Sequence, residues 1–144
     1  MPSEYAIADM HVFPLQRQQG QLTLLRSSDH LLRRFGQLDL INIKNGEQTD
    51  YTVREEADRL IFIIEGAAEL SLFDMRAQSP SNGQRVALSL TADEPKGVLV
   101  PFGVAYMLYA SADTRFISLS THSESHIQDT SLNQDELEKY IRAQ

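Results

Sequence analysis

Short apolar runs, five to eight residues long and rich in branched and aromatic side chains, recur between turn signals along most of the chain, and runs of this kind form strands rather than helices. Strands are predicted near residues 11–16, 21–26, 37–44, 50–54, 60–65, 68–74, 85–90, 97–101, 104–110 and 115–121. Turn formers separate them at Asn45-Gly46, at Ser79-Pro80-Ser81-Asn82-Gly83 and at Ala92-Asp93-Glu94-Pro95-Lys96-Gly97. Ten short strands punctuated in this way close into a sandwich or a barrel. Val86, Leu88 and Leu90 alternate with Arg85, Ala87 and Ser89, so that strand should be half exposed. Residues 60–64, Leu-Ile-Phe-Ile-Ile, are apolar at every position, so both faces of that strand need cover from a second sheet or from a subunit partner.

One segment, near residues 133–143, reads as helix: Asn133 and Glu136 have capping-box spacing, and Leu137, Tyr140 and Ile141 make one apolar face. The chain shows no internal repeat, low-complexity stretch or linker. The expected organisation is therefore one all-β domain over 1–144, with the strands over about 11–122 and a short C-terminal α-helix.

Composition then narrows the partners. The 144 residues carry 13 Lys+Arg against 20 Asp+Glu, and a net charge of −7 repels a phosphate backbone or an anionic membrane surface. No nucleic-acid partner is expected. With 0 Cys the chain can form neither a disulfide nor a thiolate metal site, and a reducing compartment fits. No apolar run approaches the roughly 20 residues of a membrane span, and the opening MPSEYAIADMHVF places Glu and Asp where a signal peptide carries Lys or Arg. A cytoplasmic protein without a membrane partner is expected. Ten of the 13 basic residues are Arg, the residue suited to planar anions such as carboxylates and phosphates.

Two segments resemble the paired signatures of the cupins, jelly-roll (double-stranded β-helix) barrels whose ligands point into the barrel mouth. Gly46 is followed after five residues by Thr52-Val53-Arg54, then after four by Arg59 and after six by Gly66, while Pro101-Phe102-Gly103-Val104-Ala105-Tyr106 matches the second signature. The spacing is kept, but Thr52, Arg54, Arg59 and Tyr106 stand where the resemblance puts metal ligands. Arg has no lone pair to give a metal, so no metal and no other cofactor is expected.

From Arg59 to about Thr121 the chain further resembles the dTDP-4-dehydrorhamnose 3,5-epimerases and the related nucleotide-sugar 3,4-ketoisomerases. The resemblance rests on Gly66, Asp74-Met75-Arg76, Ser79-Pro80, Gly83, Leu88-Ser89-Leu90-Thr91 and Val100-Pro101-Phe102-Gly103-Val104-Ala105, with Gly20-Gln21-Leu22-Thr23 upstream. It implies an RmlC-like barrel, a homodimer, a nucleotide-linked keto-sugar as small-molecule partner, and metal-free proton transfer beside the sugar carbonyl. It also implies a histidine base on the strand that here reads Asp50-Tyr51-Thr52-Val53-Arg54, where no histidine lies; Thr52 and Arg54 occupy the ketoisomerase histidine positions. The tyrosine that the epimerases carry on the last strand is missing from Phe116-Ile117-Ser118-Leu119-Ser120.

The candidate residues follow, each with two readings. Arg59 contacts substrate oxygen or phosphate, or pairs with Glu55 or Asp58. Arg54 donates to an anion in the mouth, or pairs with Glu56 or Glu69 in a filled pocket. Tyr106 orients a ligand or acts as an acid, or simply packs. A replacement base would have to be Glu47, Asp50 or Tyr51. Asp74 and Arg76 end a strand before a proline turn and read as structural, and the run from His122 to His126 reads as a surface loop. His11 and His30 are isolated. Three functions remain open: an epimerase or isomerase of nucleotide-linked keto-sugars with Glu47, Tyr51 and Tyr106 as acid–base groups; a silent cupin that binds a small anionic or sugar-like ligand through Thr52, Arg54 and Arg59; and a filled barrel acting through its oligomer surface.

Overall fold

A computed structural model describes residues 6–26, 29–54 and 56–123, and the backbone of 130–132. Among these residues the chain forms β1 (His11–Pro14), β2 (Gln16–Gln18), β3 (Gln21–Thr23), β4 (Gln37–Ile43), β5 (Tyr51–Val53), β6 (Arg59–Glu65), β7 (Ala67–Asp74), β8 (Arg85–Thr91), β9 (Lys96–Val100), β10 (Val104–Ala110), β11 (Thr114–Ser120) and β12 (Thr130–Leu132). One sheet has the order β1-β9-β6-β11-β4 and the other β12-β5-β10-β7-β8, with β2-β3 as a separate ribbon. All neighbouring strands run antiparallel. Two antiparallel sheets in this strand order form a jelly-roll barrel, the architecture that the resemblance implies.

Each of the ten predicted runs contains a strand. Two strands carry no apolar signal that would reveal them: β2 is Gln-Arg-Gln and exposed throughout, and β12 is Thr-Ser-Leu. The strand predicted over 21–26 stops at Thr23. The predicted helix near 133–143 lies outside the described residues.

The inner faces of the two sheets enclose Ile61, Ile63, Leu70, Leu72, Val98 and Leu108, and Ile7 and Met10 insert into the same cluster from the N-terminal segment. On β8, Arg85, Ala87 and Ser89 are exposed while Leu90 is buried, the expected one-sided strand. On β6 the alternate residues Leu60 and Phe62 point away from that core, into a second cluster with Leu24, Leu25, Leu31 and Leu32. The chain's own segment thus covers the outer face of residues 60–64. Burial of Leu60 and Phe62 there contributes about 1.5–3 kcal/mol each, and the strand gives no argument for a subunit partner. Gly97 sits under this cluster because a Cβ there would collide with the rings of Phe13 and Phe62, which meet edge to face at 6.2 Å.

Candidate functional site

At one end of the barrel the inner faces change from apolar to polar. The alternation that turns Ile61 and Ile63 into the core turns Arg59 the same way, and on β11 Phe116 is followed in phase by Ser118 and Ser120. On β4, Gln37 and Asp39 share the inward phase of Ile41 and Ile43, while Leu38 and Leu40 point out. Tyr106 of β10 packs against the edge of the core, and Thr52 of β5 is its register partner, so both lie on the inner face of the opposite sheet.

The two inward arginines are nearly buried, Arg54 at 6% and Arg59 at 8% exposure. Arg59 donates from Nη1 to Ser118 Oγ at 2.8 Å, and its guanidinium carbon lies 5.2 Å from the centre of the Tyr106 ring. That distance is a cation–π contact, which leaves the phenol at the edge of the guanidinium's field. Arg54 donates from Nη1 to Ser120 Oγ at 2.8 Å and to the carbonyl of His122 at 2.6 Å. The backbone of Arg54 is itself fixed, because Gly103 donates its N–H to the Arg54 carbonyl at 2.7 Å. Gly103 has φ +78, and a Cβ there would run into the Arg76 side chain, so the Pro101-Phe102-Gly103 turn needs glycine at this place.

Further cations stand on the rim. Arg33 donates to the Glu56 carbonyl at 2.7 Å and pairs with Asp58 at 3.4 Å, and Arg34 beside it is exposed. Asp58 also accepts the Phe102 N–H at 2.9 Å. The imidazole of His122, 2.8 Å from Thr121 Oγ1, is held below its ordinary value first by burial and then by the charges of Arg34 and Arg33; Glu56 opposes the shift and Arg54 adds to it. At the end of β7, opposite Val104, the Asp74 carboxylate accepts from Arg76 Nε at 2.9 Å, Ser79 Oγ at 2.7 Å and Ser81 Oγ at 2.6 Å. Burial works to raise the Asp74 carboxyl, but the hydrogen bonds of Arg76, Ser81 and Ser79 outweigh it and bring it down to about 2.

Thr52, Arg54, Arg59 and Tyr106 are thus brought together at the mouth. Two candidates are not. Glu47 lies in the exposed turn between β4 and β5, at the far end of the barrel, where its carboxylate accepts the Lys44 N–H at 3.0 Å and its carbonyl accepts the Ala110 N–H at 2.9 Å. Tyr51 takes the outward phase of β5 and packs with Val53, Phe73 and Ala105 on the outside of the sheet. Neither reaches the polar end of the barrel, and Asp50 is exposed. Glu69, offered as a partner for Arg54, is exposed on the outward phase of β7. His122, read as part of a surface loop, instead borders the mouth through its carbonyl; residues 124–126 lie outside the described residues. The mouth does not fit a divalent metal, since two of the four cupin ligand positions hold guanidinium groups.

Sequence reasoning missed Gln37, Asp39, Ser118 and Ser120, and the reason is the phase of β4. In Gln-Leu-Asp-Leu-Ile-Asn-Ile the apolar residues shift phase between Leu40 and Ile41, so alternation alone does not say which set faces in. The registers Asp39 to Ser118 and Gln37 to Ser120 place these residues in the same interior rows.

Comparison with known proteins agrees with this geometry. Superposition on the dTDP sugar isomerase from Desulfovibrio desulfuricans G20 gives a TM-score of 0.84 at 17% identity, covering 94% of this chain and 90% of that one. The dTDP-6-deoxy-D-glucose-3,5-epimerase RmlC from Legionella pneumophila Philadelphia 1, solved with dTDP-4-keto-L-rhamnose, gives 0.80 at 17% identity, covering 98% and 79%. The chain has the fold of these nucleotide-sugar enzymes. In sequence it is 31% identical over 83 residues to the spore coat polysaccharide biosynthesis protein SpsL of Bacillus subtilis (strain 168), a stretch covering 58% of this chain and 55% of that protein. The chain thus matches about half the length of this curated relative. No family model matches. Among the described residues no helix is long and apolar enough to cross a membrane.

Proposed function

We propose that the chain binds a nucleotide-linked keto-sugar in the barrel mouth and moves a proton beside the sugar carbonyl. The observation that carries this reading is the pair of nearly buried guanidinium groups, Arg54 and Arg59, set on Ser120 and Ser118 beside Tyr106 in the mouth of an RmlC-like barrel. In this reading Arg59 and Tyr106 face the sugar carbonyl, where a fixed cation stabilises the negative charge that develops on oxygen during enolisation. The diphosphate lies against Arg54 and the rim cations Arg33 and Arg34, the planar donors that suit phosphate oxygens. A groove of about 250 Å³ next to Arg34, walled by Phe35, Leu25 and Leu119, offers an apolar surface for the base. Structural neighbours solved with dTDP, dTDP-4-keto-L-rhamnose and dTDP-quinovose support the ligand class.

A second reading, a catalytically silent barrel that holds an anionic or sugar-like ligand, is favoured by Thr52 and Arg54 at the positions where the resemblance puts histidines. The two readings share a binding test. In a thermal-unfolding screen with dTDP, UDP, GDP and their 4-keto-hexose conjugates, a ligand at 100 times its Kd adds about 2.7 kcal/mol to stability, which raises Tm by roughly 5–10 °C. A flat response to the whole panel contradicts the nucleotide-sugar reading and leaves a silent barrel for a different small anion. Deuterium exchange into a bound 4-keto-sugar separates them, since only the enzyme exchanges the proton.

The chain also forms a homodimer in this proposal, through the outward face of the edge strand β4. Leu38 and Leu40 are each 57% exposed there and Phe35 beside them is 67% exposed. An open antiparallel edge with an apolar face is self-complementary about a two-fold axis.

A further inference from the structure

The proton-transfer reading needs a base, and the three residues that the sequence offered for it stand away from the mouth or outside the barrel. The polar interior does hold one carboxylate that no comparison of motifs pointed to. Asp39 lies on β4 in the inward phase of Ile41 and Ile43, half-buried, and is the register partner of Ser118 on β11. Partners across an antiparallel pair have Cβ atoms about 5 Å apart on the same face. Ser118 in turn receives Arg59 at 2.8 Å, and Arg59 stacks on Tyr106. One side of the Asp39 carboxylate is oriented by Gln37, whose amide donates to Oδ2 at 2.9 Å; the hydrogen bond leaves Oδ1 as a second acceptor.

We infer that Asp39 is the proton acceptor of the mouth, with Arg59 holding the carbonyl oxygen and Tyr106 on the facing sheet. Asp39 projects from one sheet and Tyr106 from the other, and Arg59 reaches between them, its guanidinium carbon 5.2 Å from the Tyr106 ring centre. The step balances without any co-reactant. The C–H bond next to the carbonyl breaks and its proton joins an Asp39 oxygen; the electron pair moves to the carbonyl oxygen, giving an enolate against the Arg59 guanidinium. Return of a proton to carbon restores the carbonyl, and in deuterated water that proton is a deuteron. Asp39 is the catalytic residue, in contact with the hydrogen on the substrate carbon, and Gln37 is a positioning residue that acts through it.

The inference rests on the proposed sugar-nucleotide reading, and the experiment separates the two. Wild type and Asp39→Asn are incubated in deuterated water with dTDP-4-keto-6-deoxyglucose, its UDP counterpart and GDP-4-keto-6-deoxymannose, and deuterium uptake is read by NMR. Binding of the matching nucleoside diphosphate is followed by calorimetry in parallel. The expected result is exchange by wild type with one of the three, and at least about a hundredfold slower exchange by Asp39→Asn, the usual range for loss of a general base, with nucleotide affinity held within about threefold. Asp39→Glu, which keeps the carboxylate, should recover part of the rate and guards against a folding defect in the amide variant. Exchange by Asp39→Asn at the wild-type rate overturns the role of Asp39 and leaves the sugar-nucleotide reading standing. Nucleotide binding without wild-type exchange on any of the three overturns the enzymatic reading and Asp39 with it.

Discussion

Replacing Asp74 by Asn tests whether the buried carboxylate at the end of β7 is a structural anchor whose strength depends on its charge. Asp74 is 0% exposed, and its two oxygens accept from the Arg76 side chain at 2.9 and 3.0 Å, from the Arg76 N–H at 3.0 Å, and from Ser79 and Ser81 at 2.7 and 2.6 Å. An amide has one acceptor oxygen and turns an NH2 toward Arg76, whose other side-chain partners are the exposed Asp9 at 3.3 Å and the Ala8 carbonyl at 2.8 Å. Removing one partner of a buried pair costs about 3–5 kcal/mol, and because Arg76 keeps 12% of its side-chain surface in water the lower end applies, about 3 kcal/mol at pH 7. The cost should also depend on pH. A carboxyl held at about 2 in the fold against its ordinary 3.8 stabilises the native state wherever both states are ionised, and that contribution is lost as pH falls from about 4 to about 2. Linkage puts the loss at about 1 kcal/mol by pH 3 and about 2 kcal/mol by pH 2. The Asn variant has nothing to titrate at this position, so its deficit should shrink from about 3 kcal/mol at pH 7 to about 2 kcal/mol at pH 3. Urea unfolding followed by circular dichroism at both pH values reads the two deficits. A deficit below about 1 kcal/mol at pH 7, or one that does not change on acidification, refutes the argument. Ser81→Ala, which removes one neutral donor, should cost only about 1 kcal/mol.

Other expectations concern the mouth and the open edge. Arg59→Met keeps most of the side-chain volume and removes the charge, so the affinity for the nucleotide-sugar identified in the binding screen should fall about ten- to a hundredfold, the worth of one charge-assisted bond; unchanged affinity in calorimetry would remove Arg59 from the site. His122 lies below its ordinary 6.5 in the free chain, so protonation opposes folding as pH drops past that value. A bound diphosphate favours the imidazolium, so the His122 pKa should rise on binding and affinity should increase as pH is lowered from 8 toward 6, both readable by NMR titration; a pKa that does not move places the phosphates elsewhere. Leu38→Glu with Leu40→Glu should turn a dimer into a monomer in light scattering without loss of Tm, since both side chains are exposed in the single chain; a monomeric wild type contradicts the dimer.

The strands were legible because their apolar runs are short and bounded by turn residues, and the one-sided burial of β8 follows directly from its alternation. The cover over residues 60–64 was not legible as the chain's own. Leu24 and Leu25 lie in the run predicted as strand to residue 26, which stops at Thr23, and Leu31 and Leu32 lie in a stretch without strand or helix periodicity, so nothing in their spacing says that they fold back over Leu60 and Phe62. At the site, the spacing of Thr52, Arg54, Arg59 and Tyr106 survived in full, because the register of β5 against β10 and the start of β6 are set by the barrel and do not depend on which side chains are present. What spacing could not supply was depth along the strand and phase. Glu47 and Tyr51 are within a few residues of Arg54, but one lies in the turn at the opposite end and the other on the outer face, and only the three-dimensional register shows it.

The same register explains how a barrel mouth can change its chemistry while the fold stays in place. The interior rows of one sheet are made by three strands distant in sequence, β4, β6 and β11: Arg59 of β6 bonds Ser118 of β11, Asp39 of β4 stands opposite Ser118, and Arg54, which follows β5 of the other sheet, reaches across to Ser120. The apolar core of Ile61, Ile63 and Phe116 lies next along the same inward phases of β6 and β11 and shares no polar group with these rows. The chain as a whole carries a charge of −7, yet Arg33, Arg34, Arg54 and Arg59 gather at one end. Their field is local, since surface charges more than about 8–10 Å away are screened at physiological salt. An anion that reaches the mouth therefore meets these arginines, with Asp58 paired to Arg33 and Glu56 beside His122, and not the more distant acidic groups of the surface. This separation of local from net charge is why an acidic composition that weighs against a nucleic-acid duplex is compatible with a small phosphate ester, which needs only the few ångströms of surface that the mouth presents.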